Sequence, residues 1–164
     1  MIDLHGSLHR LAPNLKWFIA IFLVVLSVGY GTGLTFVNET SGMSTKGIEE
    51  NYVGNEDDED AQEMKFEKSE REMLNIIHTH ILSMSLIFLV LGFLVSLTSL
   101  PRWLKKFLMI EPLLSVLCTF GGIYLLWKGV SWFTYVVMLS GMLMTLSFVL
   151  SVILVSWQLT LKKD

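Results

Sequence analysis

Apolar positions in this 164-residue chain fall into four blocks, 17–37, 76–98, 107–127 and 133–157. Each is close to the roughly 20 residues that a helix needs to cross a hydrocarbon layer of about 30 Å. At that depth water cannot satisfy backbone N–H and C=O groups, so the blocks predict α-helices. Polar stretches occupy the remainder, at 1–16, 38–75, 99–106, 128–132 and 158–164. The expected fold is all-α, an integral membrane four-helix up-down bundle with one acidic outer segment between the first and second helices.

Charge orients the bundle. Arg10 and Lys16 precede the first block, Arg102, Lys105 and Lys106 separate the second from the third, and Lys162 and Lys163 follow the fourth. Basic residues in short loops mark the cytoplasmic side, which predicts an N-in, C-in topology. The segment 38–75 then lies outside, with twelve acidic residues against Lys46, Lys65, Lys68 and Arg71. Trp17, Trp103, Trp127, Trp132 and Trp157 all fall at or near block edges, where the headgroup layer suits an indole. A cleaved signal peptide is the competing reading of the first block. Gly29 and Gly33 there form a G-x-x-x-G pair of the kind that lets helices approach closely.

Composition narrows the function. The chain is 52% hydrophobic and only 16% charged, against about 25% charged in soluble domains. A net charge of −3 offers no phosphate-neutralising patch and so no nucleic-acid partner. The single cysteine, Cys118, permits no internal disulfide. No phosphate loop, C-x-x-C, H-E-x-x-H or exposed Ser/His/Asp set is present, which weighs against an enzyme.

In the outer segment, 38–60 reads as loop, including the acidic run from Glu56 to Asp60. Ser69 and Glu72 then form an S-x-x-E capping box. Glu67 with Arg71 and Lys68 with Glu72 suggest that some helix begins even earlier.

His78 and His80 follow, at the expected outer boundary of the second block. At 100° per residue their rings lie about 200° apart, so one helix cannot aim both at one metal. His78 shares a seven-residue stripe with Ser85 and Gly92, which predicts that it faces another helix. His80 shares the other stripe with Met73, Ile77, Met84 and Leu91, facing a second neighbour or lipid. Histidine in a span is costly and so a functional candidate. Imidazole and Met can both ligate haem iron, so His78, His80 and Met84 are candidate haem b or copper ligands. A further ligand would come from a dimer, a partner subunit or a Met such as Met43, Met138 or Met142. Interfacial histidines bonded to headgroups, loop carboxylates or Tyr are the plain alternative.

Glu111-Pro112 lies just inside the third block. It reads either as an intramembrane carboxylate or as a bend where a new helix starts with Pro in its first turn. The bend is the favoured reading. Ser115, Thr119 and Gly122 on the third block, and Ser140, Ser147 and Ser151 on the fourth, form small-residue stripes that predict close packing.

The runs Asn51-Tyr52-x-Gly54-Asn55-Glu56, Met64-Lys65-Phe66-x-Lys68-Ser69 and His78-Thr79-His80, with Glu111-Pro112 and Gly121-Gly122-Ile123, resemble an uncharacterised family of small bacterial membrane proteins. The family is of Bacteroidetes type, and some members carry an elongation-factor label. The resemblance implies a multi-pass protein of the bacterial inner membrane and no established activity.

Three functions fit these residues. One is a non-catalytic accessory subunit of a membrane complex, such as a respiratory one, with a haem or metal site at its outer face. Another is an assembly protein that meets a partner through Asn51, Tyr52, Gly54, Asn55, Glu56, Lys65 and Lys68. The third is a proton- or ion-coupled carrier using Glu111. The expected partners are the lipid bilayer and either further copies of the chain or other subunits.

Overall fold

A computed structural model describes residues 6–58, 61 and 63–160. A short 3-10 turn, Leu8–Arg10, precedes five helices: α1 (Pro13–Ser41), α2 (Thr45–Val53), α3 (Glu70–Ser96), α4 (Arg102–Trp127) and α5 (Phe133–Thr160). The described residues contain no strand. All but α2 are long and apolar enough to cross a membrane, and at 1.5 Å per residue they run about 39–44 Å.

Hydrogen bonds close both ends of the bundle and show the up-down alternation. At one end the amides of Gly6 and Leu8 donate to the carbonyls of Thr98 and Leu97 at 3.1 and 3.0 Å. There Leu8 is wholly buried, and the amide and hydroxyl of Ser99 donate to Gln158 Oε1 at 2.7 and 3.1 Å. The start of α1, the α3–α4 turn and the end of α5 therefore share one end. At the other, Lys65 Nζ donates to the Thr40 carbonyl at 2.9 Å and Trp127 Nε1 to that of Lys68 at 2.8 Å. Lys162 and Lys163 lie outside the described residues.

The bundle is uneven. Helices α3, α4 and α5 pack on one another, while α1 leans on α5 and leaves most of its surface bare. It enters the core through Ile19 and Leu23, and further along Tyr30 stacks on Phe148 at 3.9 Å between centroids and is hydrogen-bonded to Thr145 at 3.1 Å. Nothing stands within 4 Å of where a Cβ at Gly29 or Gly33 would be, so the G-x-x-x-G pair brings no helix close in this chain. Gly122 does admit a neighbour: a Cβ there would meet Val137 Cγ2 at 2.9 Å.

The acidic segment 38–75 is more ordered than its polar composition suggests. Helix α1 continues to Ser41, where Gly42, in the left-handed region at φ 54°, donates back to Asn38 and ends it. Ser44 then caps α2 by accepting from the Gly47 amide at 3.0 Å. Ile48, Tyr52 and Val53, at helical spacing, pack against the core, an apolar face that the surrounding Glu, Asn and Lys obscure in the sequence. Ser69 and Glu72 form the capping box as expected. Helix α3 begins only at Glu70, because Lys68 is committed upstream, its amide donating to the Tyr52 carbonyl at 3.2 Å.

The link from α2 to α3 closes on Gly54, at φ 91°, where a Cβ would stand 2.7 Å from the Glu67 amide nitrogen and 3.0 Å from the Lys65 carbonyl oxygen. Gly129 has a similar φ of 92° but open space around it. Gly54→Ala is therefore expected to destabilise the protein by roughly 1–3 kcal/mol, and Gly129→Ala by clearly less. Thermal unfolding in detergent checks this; equal losses would mean that the close approach at Gly54 carries no energy.

Candidate functional site

The α4–α5 interface carries a chain of polar contacts through otherwise apolar packing. Gln158 continues the spacing of Ser140, Ser147 and Ser151 along α5, and all four are buried. Facing them, Ser115 and Thr119 of α4 are also buried, with Thr119 Oγ1 2.7 Å from Ser140 Oγ. In hydrocarbon such hydroxyl pairs are satisfied only by each other or by a backbone carbonyl.

Glu111 sits in this interface. Its carboxylate is answered on both oxygens: Ser115 Oγ, one turn on, donates to Oε1 at 2.5 Å, and Ser147 Oγ of α5 donates to Oε2. Ser147 lies midway along α5, about 20 Å of helix from either end, so the carboxylate meets α5 at mid-height. The favoured bend does not occur. Helix α4 runs unbroken from Arg102 to Trp127 with Pro112 inside it. The proline ring removes one amide donor, which would otherwise reach the Leu108 carbonyl. Packing of Pro112, Ser115 and Val116 into the bundle holds the helix across that gap. Glu111 forms no ion pair among the described residues.

Glu111 also lines a trough of about 660 Å³ on the outer side of α4 and α5, together with Trp103, Phe107, Leu114, Leu139 and Leu143. Lys106 and Cys118 lie on the same walls. Most of these apolar side chains are exposed, so the trough opens sideways toward lipid.

Of the two histidines, His80 meets a neighbouring helix, as its stripe allowed, while His78, expected to face one, does not. His80 stacks on Phe120 of α4, 4.8 Å between centroids, and its Nδ1 is 2.7 Å from the Ile76 carbonyl. Both His78 and His80 are exposed. The helical wheel explains the difference. Met73, Ile77, Met84, Phe88, Leu91 and Val95, the residues turned inward, cluster about 40–100° around from Gly92 at 100° per residue. Gly92, where an added Cβ would stand 3.7 Å from Met109 Cα, is thus one edge of the buried face rather than its centre. Seven-residue spacing drifts a further ~20° per step, which carries His78 off that edge, while His80 lies at the opposite edge, beside α4. Met84 is half-buried on the same stripe.

Since a carbonyl can only accept, the Ile76 contact places the proton of neutral His80 on Nδ1 and leaves Nε2 as its free lone pair. Nine residues of α4, about 14 Å, separate Phe120 from Glu111, so the histidine and carboxylate sites are distinct. Among the described residues no three His, Cys, Asp or Glu side chains converge as a metal-holding group.

The motif residues of the acidic segment are brought together as a clamp. The Asn55 side chain accepts from the Lys65 amide at 2.6 Å and donates to the Glu63 carbonyl at 2.9 Å, while its amide donates to the Lys65 carbonyl. Glu56 Oε1 accepts from the Glu67 amide at 3.4 Å, and Asn51 is half-buried on α2. Burial pushes the Tyr52 phenol above its ordinary range, opposed in part by a hydrogen bond with Asn51. Met64 and Phe66, between the clamped residues, remain exposed. Sequence reading missed the long-range partners Gln158–Ser99, Tyr30–Thr145 and Trp127–Lys68. Only Gln158 had a signal, as the next step of the serine spacing.

Helices of this length, apolar surface and internal hydroxyl pairing define a small multi-pass membrane protein with lipid around it. The chain belongs to the Aq_1264_TM family: the family model, described as a transmembrane helical domain, matches residues 42–164. That match begins at the residue closing α1 and takes in α2 to α5. No curated protein and no solved structure matches the chain.

The Glu111 contacts yield a test. Ser147→Ala leaves Oε2 without its donor across the interface and is expected to destabilise the bundle by roughly 1–2 kcal/mol. Adding Glu111→Leu should recover part of that loss, because removing both partners costs less than orphaning one. Unfolding equilibria in mixed micelles check this; additive losses in the double variant would sink the pairing.

Proposed function

We propose that the chain is a non-catalytic accessory subunit of a larger complex in the bacterial inner membrane, and that it holds a haem or metal ion at the interface through His80. The observation that carries this reading is the fixed imidazole. Phe120 and the Ile76 carbonyl orient the ring and set its tautomer, as a carbonyl or carboxylate commonly does behind a metal-bound histidine. One nitrogen is not a site, and His78 lies on another side of α3, so the remaining ligands belong to another chain. Exposed Thr79 and Ser83, nearer to His80 around the helix, favour a covered face over one bathed in lipid.

Purification from native membranes in mild detergent is expected to yield a complex with a Soret band or stoichiometric copper. His80→Ala should remove the band or metal, whereas His78→Ala should retain it. A colourless, metal-free monomer from cells supplied with iron, haem and copper would overturn the proposal.

The basic end of the bundle is read as cytoplasmic, with α2 and the Asn55 clamp outside. In a Cys118→Ala background, an impermeant maleimide should label Glu63→Cys in intact spheroplasts and Arg102→Cys only after permeabilisation. The reverse pattern would invert the topology.

A further inference from the structure

The basic end of the bundle holds two cations that the fold leaves uncommitted. Arg102 and Lys106 stand one turn apart at the start of α4. Both are exposed, and neither forms an ion pair among the described residues. Lys105, between them, is engaged, its ammonium donating to the Ser96 carbonyl at 2.8 Å. No acidic residue lies in the first turn of α4 and no side chain caps it, so the positive end of the helix dipole adds to these charges instead of offsetting them. Lys106 also lines the trough of about 660 Å³, which runs from Trp103 to Cys118, about 22 Å along α4. The flexible stem of the lysine lets its ammonium reach the headgroups while its methylenes lie on the trough wall. Beyond it the walls are hydrocarbon: Phe107, Ile110, Leu114, Leu139 and Leu143. Glu111 is occupied, with its two oxygens bonded to Ser115 and Ser147, so the interior of the trough offers no charge to an occupant. Exposed Trp103 marks the headgroup layer on the same wall. A groove that is apolar along the bilayer and positive at its headgroup end has the polarity of an anionic lipid.

We propose that this trough seats one acidic phospholipid. Its phosphate lies against Arg102 and Lys106, and one acyl chain follows Phe107, Ile110 and Leu114 toward Leu139 and Leu143. Net charge decides the headgroup. A choline brings its own cation to a patch that already holds two, whereas the glycerol of phosphatidylglycerol does not. A neighbouring transmembrane helix is the other candidate occupant, but it would leave both cations unanswered unless it carried a carboxylate at the headgroup layer.

Native mass spectrometry of the full chain, released from detergent containing equal amounts of dioleoyl phosphatidylglycerol and dioleoyl phosphatidylcholine, tests the proposal. One phosphatidylglycerol per chain is expected to be retained in preference to phosphatidylcholine. Arg102→Gln combined with Lys106→Gln should weaken retention by roughly tenfold or more, while Lys106→Arg should keep it. Lys128→Gln, which removes a cation from the far end of α4, should leave it unchanged. Leu139→Trp fills the trough from its α5 wall and should displace the lipid with both cations intact; unchanged helical circular dichroism and melting would establish that the variant is folded. Glycerol 3-phosphate, a phosphate without acyl chains, should not compete. Equal retention of the two lipids, retention indifferent to the double variant or to Leu139→Trp, or displacement by glycerol 3-phosphate would overturn the inference. So would a photocrosslink from Leu139 in native membranes to another protein's helix. None of these readouts depends on His80 or on haem.

Discussion

A carboxylate midway between two hydrophobic helices has no water to turn to, and how Glu111 is accommodated constrains the membrane half of this protein. Ser115 answers one oxygen from the same helix and Ser147 answers the other from α5. Only the second bond ties helices together, so it sets the rotation of α5 against α4. With that rotation set, Ser140 meets Thr119, Val137 meets Gly122, and Gln158 reaches Ser99 at the far end. Sliding either helix by one residue would separate these partners together, because in hydrocarbon each lost hydroxyl bond has no aqueous substitute.

The two ends of the bundle are held by different chemistry. At the basic end a fully buried Leu8 and two backbone hydrogen bonds anchor the approach to α1. At the acidic end the Asn55 clamp, the lysine bond to Thr40 and the indole bond to Lys68 seat α2 and the start of α3 on the bundle. Helix α1 is thus tethered at both ends while its middle touches the bundle along one narrow side, through Leu23, Leu26 and Tyr30. The family's matched region excludes that helix, in keeping with a packed unit built from α3, α4 and α5 under the α2 cap.

The spans were legible because a bilayer demands a fixed length of apolar helix, and the Ser69–Glu72 box because capping is local. Small-residue stripes located the α4–α5 contact correctly, since hydroxyls and glycines there face each other. The same logic misplaced the face of α3: a lone glycine can mark an edge as well as a centre, and the large side chains of Met73, Met84 and Leu91 define the buried side. Pro112 was ambiguous in principle, since proline suits a first turn and is also tolerated inside a packed membrane helix. Helix α2 was hidden because three apolar residues on one side suffice to seat it. Tyr30–Thr145 and Glu111–Ser147 join residues far apart in the chain, and no local pattern announces such pairs.

The separation of Glu111 from Ser147 has a consequence for biogenesis. Ser147 follows Glu111 by 36 positions in the chain, and a ribosome adding about 5–20 residues per second needs roughly 2–7 s to reach it. During that interval α4 leaves the ribosome with only Ser115 to shield its acid. The helix is therefore suited to waiting at the insertion site, where water remains, and to entering lipid as a hairpin with α5. Insertion of the last two helices becomes a single event, timed by the arrival of one serine.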